Sequence, residues 1–364
     1  MNSAPKVKKE SKNKIRVEFD RTPLKERLKA KFLNAYFFQQ VIVKLFRFVF
    51  LLGIAYVVLY PFFTKIAGSF MSPQDFVDTT VRLVPKHWSI DIYKEIFIEN
   101  EYPKAFANTL LISLVTATIQ TFVCCLIAYG LAKYKFKGNG AIFLLVVVTM
   151  IIPHRTLKAS MALKFINFDI MGILSFLSGG ASIGIEGVDN FLSSIQILDL
   201  PSGINLTNTY WPVIILSLTG LAFKNGLYVF MLRQFFRGIP DSLEESAYID
   251  GSGDFRTFFQ IILPMSVPMM ITVFLFAFCW QWTDSFYTNM FLPTPGKAPL
   301  LLSSTHFVEV PDTLDIKTHA AKSLYDTAII NTCGIMLIAP LVILYVFLQR
   351  YLVEGIERSG LTAE

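Results

Sequence analysis

Charged residues are scarce in this chain of 364 residues, since Asp, Glu, Lys and Arg together make up 16%, against about 25% in soluble domains. Hydrophobic residues reach 53%, and phenylalanine alone occurs 34 times. Apolar runs of about 20 residues recur in series, which is the length that crosses a bilayer as a helix. These features exclude an ordinary soluble domain and predict a membrane protein.

Cysteine and histidine are few and scattered. Cys124, Cys125, Cys279 and Cys333 lie inside apolar runs without CxxC spacing. We therefore expect neither a zinc site nor a disulfide framework, and we interpret these residues as small buried apolar side chains. The four histidines form no i,i+4 pair. With no acid–base pair, nucleophile triad or metal cluster in the pattern, we expect no catalytic residue and no metal on this chain.

The chain also lacks the GxxxxGK[ST] loop that binds nucleotide phosphates. The segment 251–253 is an isolated GxG that follows no predicted strand, and we interpret it as a turn. ATP is therefore not expected to bind by that route.

Positive charge is concentrated at the amino terminus. The net charge is +6, and lysine and arginine crowd the first 47 residues. We interpret residues 1–44 as a cytoplasmic basic tail, not a nucleic-acid site, with an amphipathic helix on the inner membrane surface from about Thr22 to Tyr36. A soluble linker is the alternative for that helix. The basic stretch is too long for a cleaved signal peptide, so the first span should remain as an anchor.

Six apolar segments predict an all-α membrane protein with six transmembrane helices. Short basic loops at 132–140, 233–263 and 349–364 lie close to span ends, which favours cytoplasmic termini. A glycine-rich stretch at 166–207 is expected to be an extracellular insertion, and 350–364 a cytoplasmic tail. The predicted spans cover about 48–66, 106–131, 141–165, 210–232, 264–282 and 327–348.

The loop at 233–263 predicts a helix–turn–helix. Asp241 or Ser242 can cap a helix start after Pro240, and Leu243, Ala247 and Tyr248 then share one face. Gly251 ends this helix, since glycine accepts the left-handed conformation. A second helix should start at about Asp254 and run into the span after Pro264, with an apolar face that includes Phe258. A short helix projecting from a membrane domain suits docking into a groove on another protein; an ordinary amphipathic loop is the alternative.

This segment resembles the EAA loop of binding-protein-dependent ABC importer permeases. The matching residues are Glu245-Ser246-Ala247, Asp250-Gly251 and 261–264, read Ile-Ile-Leu-Pro. Ser246 replaces the first alanine of the motif, a small-for-small change. The resemblance implies a type I importer permease fold and a docking site for a separate ATPase on 233–263. The implied coupling residues are Pro240, Leu243, Glu244, Glu245, Ala247, Asp250, Gly251, Phe258, Leu263 and Pro264.

Further residues resemble the carbohydrate-uptake branch, typified by six-span maltose-permease-like subunits. They lie at 105–109, 150–153, 233–240, 282–284 and 349–355. The resemblance covers about 45–355. The insertion at 166–207 is longer than that branch usually has, and 356–364 depart from its usual ending, which leaves the contact of this tail with the ATPase open.

The resemblance implies a division of labour in a bacterial cytoplasmic membrane. The chain would form part of the translocation path and would work with a second related permease, two ATP-binding subunits and an extracellular sugar-binding protein. No cofactor is expected on this chain, because ATP and Mg would be held by the ATPase. Glu245 and Asp250 would be polar docking contacts, and the insertion would contact the binding protein or cap the outer mouth.

Aromatic and charged residues near the predicted spans are candidates for the substrate path. Trp280, Trp282, Asp284 and Tyr287 cluster at the predicted outer end of span five, where aromatic faces suit sugars, although membrane-interface aromatics are the alternative. Lys224 would lie in the inner half of span four, where it could serve transport or snorkel to the interface. His154, Arg155 and Lys158 could contact a polar solute or simply headgroups.

Two other functions stay open at this stage. One is an ABC permease for another solute, such as a polyamine or phosphonate, because the docking loop is widely shared. The other is an ion-coupled secondary transporter, for which inverted repeats or a carboxylate in a broken helix would be expected. A membrane scaffold without transport activity would not need the pattern at 240–264.

Overall fold

The computed structural model describes residues 35–169, 203–293, 301–304 and 319–360. Isolated bridges between Met71 and Trp88 and between Phe168 and Ile204 are the β pairings among these residues, which are otherwise helices and connections. The chain forms two compact units, 1–64 and 65–364, and the contacts given below lie within the second. Most of the amphipathic helix predicted near residues 22–36, and most of the insertion, fall outside the described residues.

The described helices follow one another with short connections. In chain order they are α1 (Ala35–Ser69), α2 (Asp91–Glu99), α3 (Tyr102–Lys133), α4 (Asn139–Ile151), a 3₁₀ turn (His154–Leu157), α5 (Lys158–Ile166), α6 (Trp211–Leu218), α7 (Asn225–Arg237), α8 (Asp241–Ile249), α9 (Asp254–Thr257), a π turn (Phe258–Ile262), α10 (Leu263–Trp282), α11 (Phe286–Phe291), a 3₁₀ turn (Leu302–Ser304) and α12 (His319–Gly360).

Four described helices are long and apolar enough to cross a membrane: Phe38–Ser69, Tyr102–Lys133, Asp254–Trp282 and Ser323–Arg350. A fifth crossing is possible if the bent pair Asn139–Ile151 and His154–Ile166 counts as one. Helices therefore occupy the first, second, fifth and sixth predicted spans, because a continuous apolar run needs no tertiary information to form a helix in lipid.

The third predicted span, 141–165, is bent and not straight. Its two halves, α4 and the helical segment 154–166, meet at an angle of 92°. The bend falls at Pro153, and Ile152 before it is extended with ψ 120°. Proline lacks the N–H for a helical hydrogen bond and disfavours the helical conformation of its predecessor, so the helix has to stop there.

The fourth predicted span, 210–232, is wrong as a continuous helix. α6 ends at Leu218 and α7 begins at Asn225, and Gly220 and Lys224 between them both have left-handed φ values, +75° and +69°. A right-handed helix cannot continue through such residues. The break in the third predicted span and the break in the fourth line the same cavity.

Helix α3 lies at the centre of the second unit, packed against α7, α10 and α6. Its buried face consists mainly of small side chains, including Ala105, Thr109, Ser113 and Ala117. Small residues let helix backbones approach closely in a membrane, where van der Waals packing replaces the hydrophobic effect between helices. Cys124 and Cys125 belong to the same face and are buried, as expected of them, whereas Cys279 and Cys333 are only partly buried; all four are free.

Regions expected as loops contain further helices. α2 lies between the first two predicted spans, where no helix was expected, and its buried Ile92 and Ile96 belong to one cluster with Tyr325 and Ile329 of α12. α12 itself continues to Gly360, so the predicted tail 350–364 is helical over most of its length. The sequence pattern missed α2 because nine residues are too few for a clear helical period.

The ends of the predicted insertion are held together. The backbone N–H of Phe168 donates to the carbonyl of Ile204 at 2.9 Å, and the reverse bond has the same length. Phe165 stacks on Phe168 and meets Phe291 edge to face. Phe168 and Ile204, at the two ends of this segment, are therefore paired within the fold.

The close approach of α7 to α4 supports a stability prediction. A Cβ at Gly226 would lie 2.6 Å from Thr149 Oγ1 and 2.9 Å from the carbonyl oxygen of Val146. We expect Gly226→Ala to lower the free energy of unfolding by about 1–3 kcal/mol, the usual cost of overpacking. The measurement is denaturation of the purified chain in mixed micelles.

Gly130 provides the matched control for this prediction. It also lies in a helix, and a Cβ there meets nothing within 4 Å. Gly130→Ala should leave stability unchanged or raise it by about 0.5–1 kcal/mol. Equal effects of the two substitutions would contradict the packing described here.

Candidate functional site

The loop between α7 and α10 has the predicted helix–turn–helix form. α8 ends in a Schellman motif, in which the N–H of Gly251 donates to the carbonyl of Tyr248 at 3.0 Å and that of Ser252 to Ala247 at 2.9 Å. Gly251 has φ +79°, the left-handed conformation that this motif requires. The turn fixes the direction in which the chain leaves α8 and enters α9.

A buried polar cluster holds α8 against the end of α3. The Nζ of Lys133, whose side chain is 6% exposed, donates to the carbonyl of Ile239 and to Asp241 Oδ1, both at 2.7 Å. It lies 3.7 Å from Glu244 Oε2. The hydroxyl of Tyr129 donates to Glu244 Oε1 at 3.1 Å. We call Tyr129, Lys133 and Glu244 the α3–α8 clamp.

The clamp corrects two sequence interpretations of α8. Pro240 occupies the cap position and no side chain caps the helix, because Asp241 binds Lys133 instead. That hydrogen bond, followed by the lysine charge, holds the pKa of the Asp241 carboxyl below its usual range. The buried face consists of Glu244 and Ala247, whereas Leu243 and Tyr248 are exposed. Sequence reasoning missed Tyr129 and Lys133, which carry no motif of their own.

The outward face of the loop is apolar and acidic. Ile249 is 86% exposed and Phe255 is 81% exposed. Glu245 and Asp250 lie on the same exposed stretch. Ile249 lies outside the candidate spans and Phe255 is the second residue of one, Asp254–Trp282. Large apolar side chains left exposed at such a place mark an interaction surface.

The remaining predicted coupling residues join the loop to α10. Phe258 is buried and its ring lies 4.7 Å from that of Tyr129. Leu263 and Pro264 begin α10, directly after the π turn. Proline offers no N–H to the carbonyl four residues earlier, and a local widening of the helix next to it is consistent with that loss.

The breaks in the third and fourth predicted spans form a cavity of about 140 Å³. Thr149, Met150 and His154 line it from one side. The segment from Gly220 to Leu227 lines it from the other, including Lys224. A left-handed lysine costs on the order of 1–3 kcal/mol, and such strained residues cluster at functional sites.

Aromatic rings surround the ammonium of Lys224. Its Nζ lies 4.7 Å from the ring centroid of Phe223 and 4.8 Å from that of Trp280. Phe223 also meets the rings of His154 and Tyr287. Lys224 itself lies in the break between α6 and α7. Its predicted depth was counted at 1.5 Å per residue along a continuous helix, and that helix is interrupted. Phe223 was missed, although an aromatic residue next to an intramembrane lysine is a detectable signal.

Trp282 and Trp280 point to different surroundings. Trp282 is 1% exposed and its Nε1 donates to the carbonyl of Leu337 at 2.9 Å, tying α10 to α12. Two residues on a helix differ by about 200° in direction, so these tryptophans cannot form one surface. Asp284 is also engaged, because its Oδ2 accepts the N–H of Thr288 at the start of α11.

Several polar atoms near the breaks have no hydrogen-bond partner among the described residues. They are both amide atoms of Asn225 and the hydroxyl groups of Tyr210, Tyr228 and Tyr287. Buried polar groups are usually satisfied by protein or water.

Within the described ranges there is no group of three or more His, Cys, Asp or Glu residues that could hold a metal ion.

The known proteins that this chain resembles are membrane components of transport systems. The family described as "Binding-protein-dependent transport system inner membrane component" matches residues 124–358. The polygalacturonan/rhamnogalacturonan transport system permease protein of Bacillus subtilis (strain 168) is 26% identical, over 84% of this chain and 93% of its own. The maltodextrin transport system permease protein of Streptococcus pneumoniae is 26% identical, over 86% and 93%.

A solved structure is similar in fold. It is a bacterial ABC transporter involved in the import of the acidic polysaccharide alginate, with a TM-score of 0.58 and 19% identity, and the match covers 86% of this chain and 97% of that chain. This likeness concerns the fold alone.

Proposed function

Because this chain belongs to the family of binding-protein-dependent transport system inner membrane components, we propose that it is the permease subunit of an ATP-driven ABC importer for carbohydrates. The family is one of transport permeases of the inner membrane. The observation that carries the coupling role is the α3–α8 clamp, which attaches an otherwise exposed helix to the packed core of the unit. The names of relatives, which include maltodextrin and polygalacturonan permeases, support a carbohydrate.

The proposed topology has six crossings with both termini in the cytoplasm. The bent pair α4 and 154–166 would form the third crossing, and the interrupted pair α6 and α7 the fourth. Unwound backbone at membrane depth is tolerated where it lines a cavity, and both breaks do so. The loop 233–263 is then cytoplasmic and the insertion 166–207 is extracellular.

The proposed partner at the loop is an ATPase, which would hold ATP and Mg. Its groove would receive the exposed face with Ile249 and Phe255, while Glu245 and Asp250 would make polar contacts. Movement of α8 would reach α3 through the clamp and the spans behind it, producing a rigid-body change between inward-open and outward-open states. Two such ATPases, a second related permease and an extracellular sugar-binding protein complete the assembly.

The proposed substrate path passes the broken-helix cavity. Lys224, Trp280 and Tyr287 would face the substrate, with Asp284 at the edge of this region. Half-exposed aromatic faces such as that of Trp280, 47% exposed, suit the apolar face of a sugar ring. Trp282 is assigned a structural role instead.

Uptake by the complete transporter tests this function. In proteoliposomes we expect maltodextrins or oligogalacturonates to accumulate only with ATP and the binding protein, and a non-hydrolysable ATP analogue should abolish accumulation. Uptake driven by an ion gradient without ATP would contradict the proposal. Uptake of a polyamine or phosphonate in place of every sugar would contradict the carbohydrate part alone.

A further inference from the structure

The charge distribution around the two breaks is one-sided. From 153 to 168 the chain carries Arg155, Lys158 and Lys164 and no carboxylate, and from 203 to 224 it carries only Lys224. Among the described residues, Asp169 follows the first segment and has an interaction of its own. Asp284 lines a neighbouring pocket with Phe223 and Trp280, and its Oδ2 accepts the N–H of Thr288. The cavity is thus lined by a cation and a histidine, with no carboxylate of its own.

Lys224 has no anionic partner within the described part of the chain. No Asp or Glu oxygen lies within ion-pair distance of its Nζ, and no hydrogen bond from its ammonium is found there. The rings of Phe223 and Trp280 offset part of the cost of placing this charge inside a membrane protein. Ring faces accept no strong hydrogen bond, so the ammonium keeps protons to donate into the cavity.

The unpaired charge matches one class of sugar. A uronic acid unit carries its carboxylate on the edge of the pyranose ring, where a cation that lines the cavity can reach it. The Nζ of Lys224 lies over the ring of Trp280, 4.8 Å from its centroid, and Lys224 also lines the cavity. A neutral sugar would leave this ammonium without a counter-charge.

We propose that the broken-helix cavity selects carbohydrates that bear carboxylates, and that Lys224 is the residue that pairs with the carboxylate. This inference rests on the proposed function, because it names the substrate class of the same path. The left-handed conformation of Lys224 is part of the device, since the helix break brings the lysine between the rings and not along a continuous helix.

The test compares two probes of equal length in the complete transporter: oligogalacturonate, and the same oligomer with its carboxylates methyl-esterified. We expect wild-type transporter to take up the acid at least about tenfold better than the ester, since a charge-assisted hydrogen bond contributes on this scale. Lys224→Met should remove that preference, so that uptake of the acid falls to the level of the ester in the same variant. Lys224→Arg should keep the preference.

Lys94→Met is the control for loss of one positive charge. Lys94 is exposed and pairs with Asp91, three residues before it, and both lie far along the chain from the two breaks. It should behave as wild type. Equal uptake of acid and ester by wild-type transporter, or a Lys224→Met variant that still prefers the acid, would overturn the inference while the carbohydrate function stands. Failure to take up any neutral or acidic oligosaccharide would overturn the proposed function, and this inference with it. If Lys224→Met does not assemble, the wild-type comparison of acid and ester still decides.

Discussion

Replacing Lys133 with methionine should lower the free energy of unfolding by about 3–5 kcal/mol, because it leaves a buried carboxylate without its cation. Glu244 is 10% exposed at its side chain and would retain only the hydroxyl of Tyr129. The carbonyl of Ile239 would lose its partner as well. ATP-driven uptake should fall with stability, because α8 would no longer be fixed to α3.

The double variant Lys133→Met with Glu244→Gln separates the clamp from a general effect of the substitution. A neutral amide can still accept the Tyr129 proton, so we expect the double variant to regain about 2 kcal/mol over Lys133→Met alone, a coupling of the size seen between residues in contact. Lys135→Met, two residues further along and exposed, should have no effect on stability. Additive effects of the two clamp substitutions would rule out the arrangement described here.

Loss of the turn at Gly251 should release the ATPase. Proline cannot adopt φ +79° and has no N–H for Tyr248, so we expect Gly251→Pro to abolish co-purification of an ATP-hydrolysing partner. Gly251→Ala should weaken it, since a left-handed non-glycine residue costs about 1–2 kcal/mol. The measurement is the ratio of ATPase to this chain after affinity purification from the cell.

The same loop offers its own control. A Cβ built on Gly253 would meet nothing within 4 Å, and the same is true of Gly251. Gly253, however, has φ −84°, which any residue can adopt. Gly253→Ala should therefore keep the partner, and only the backbone conformation distinguishes the two sites. Glu245→Lys should lose the partner without changing stability, because Glu245 is exposed. A Gly251→Pro variant that retains a wild-type amount of ATPase would exclude docking at this loop.

Features that depend on neighbours in the chain were predictable. The apolar run of 264–282 needs only lipid around it to become a helix, and Gly251 ends α8 because of its own backbone freedom. The motif at 245–264 likewise places the coupling loop, since its residues lie within one short stretch.

Features that depend on distant residues were not predictable. Glu244 and Glu245 are adjacent and chemically alike, yet the first is buried and the second exposed. Glu244 faces Tyr129, which lies 115 residues earlier in the chain, and the Nζ of Lys133, which is 3.7 Å away. The break at 219–224 does have local signals, Gly220 and the dipeptide Asn225-Gly226, but the apolar residues on either side let the fourth segment be interpreted as one span.

By itself, the amino-acid sequence determined a helical membrane protein with a docking loop, because hydropathy and turn chemistry act over a few residues. Tertiary structure alone decided which face of α8 is free, which tryptophan lies against Lys224, and that Lys224 lines a cavity. These depend on how α3, α7 and α10 pack, and on the break that places Lys224 beside its neighbour Phe223 and against Trp280 of α10. Such contacts form only when segments far apart in the chain exclude lipid and water together.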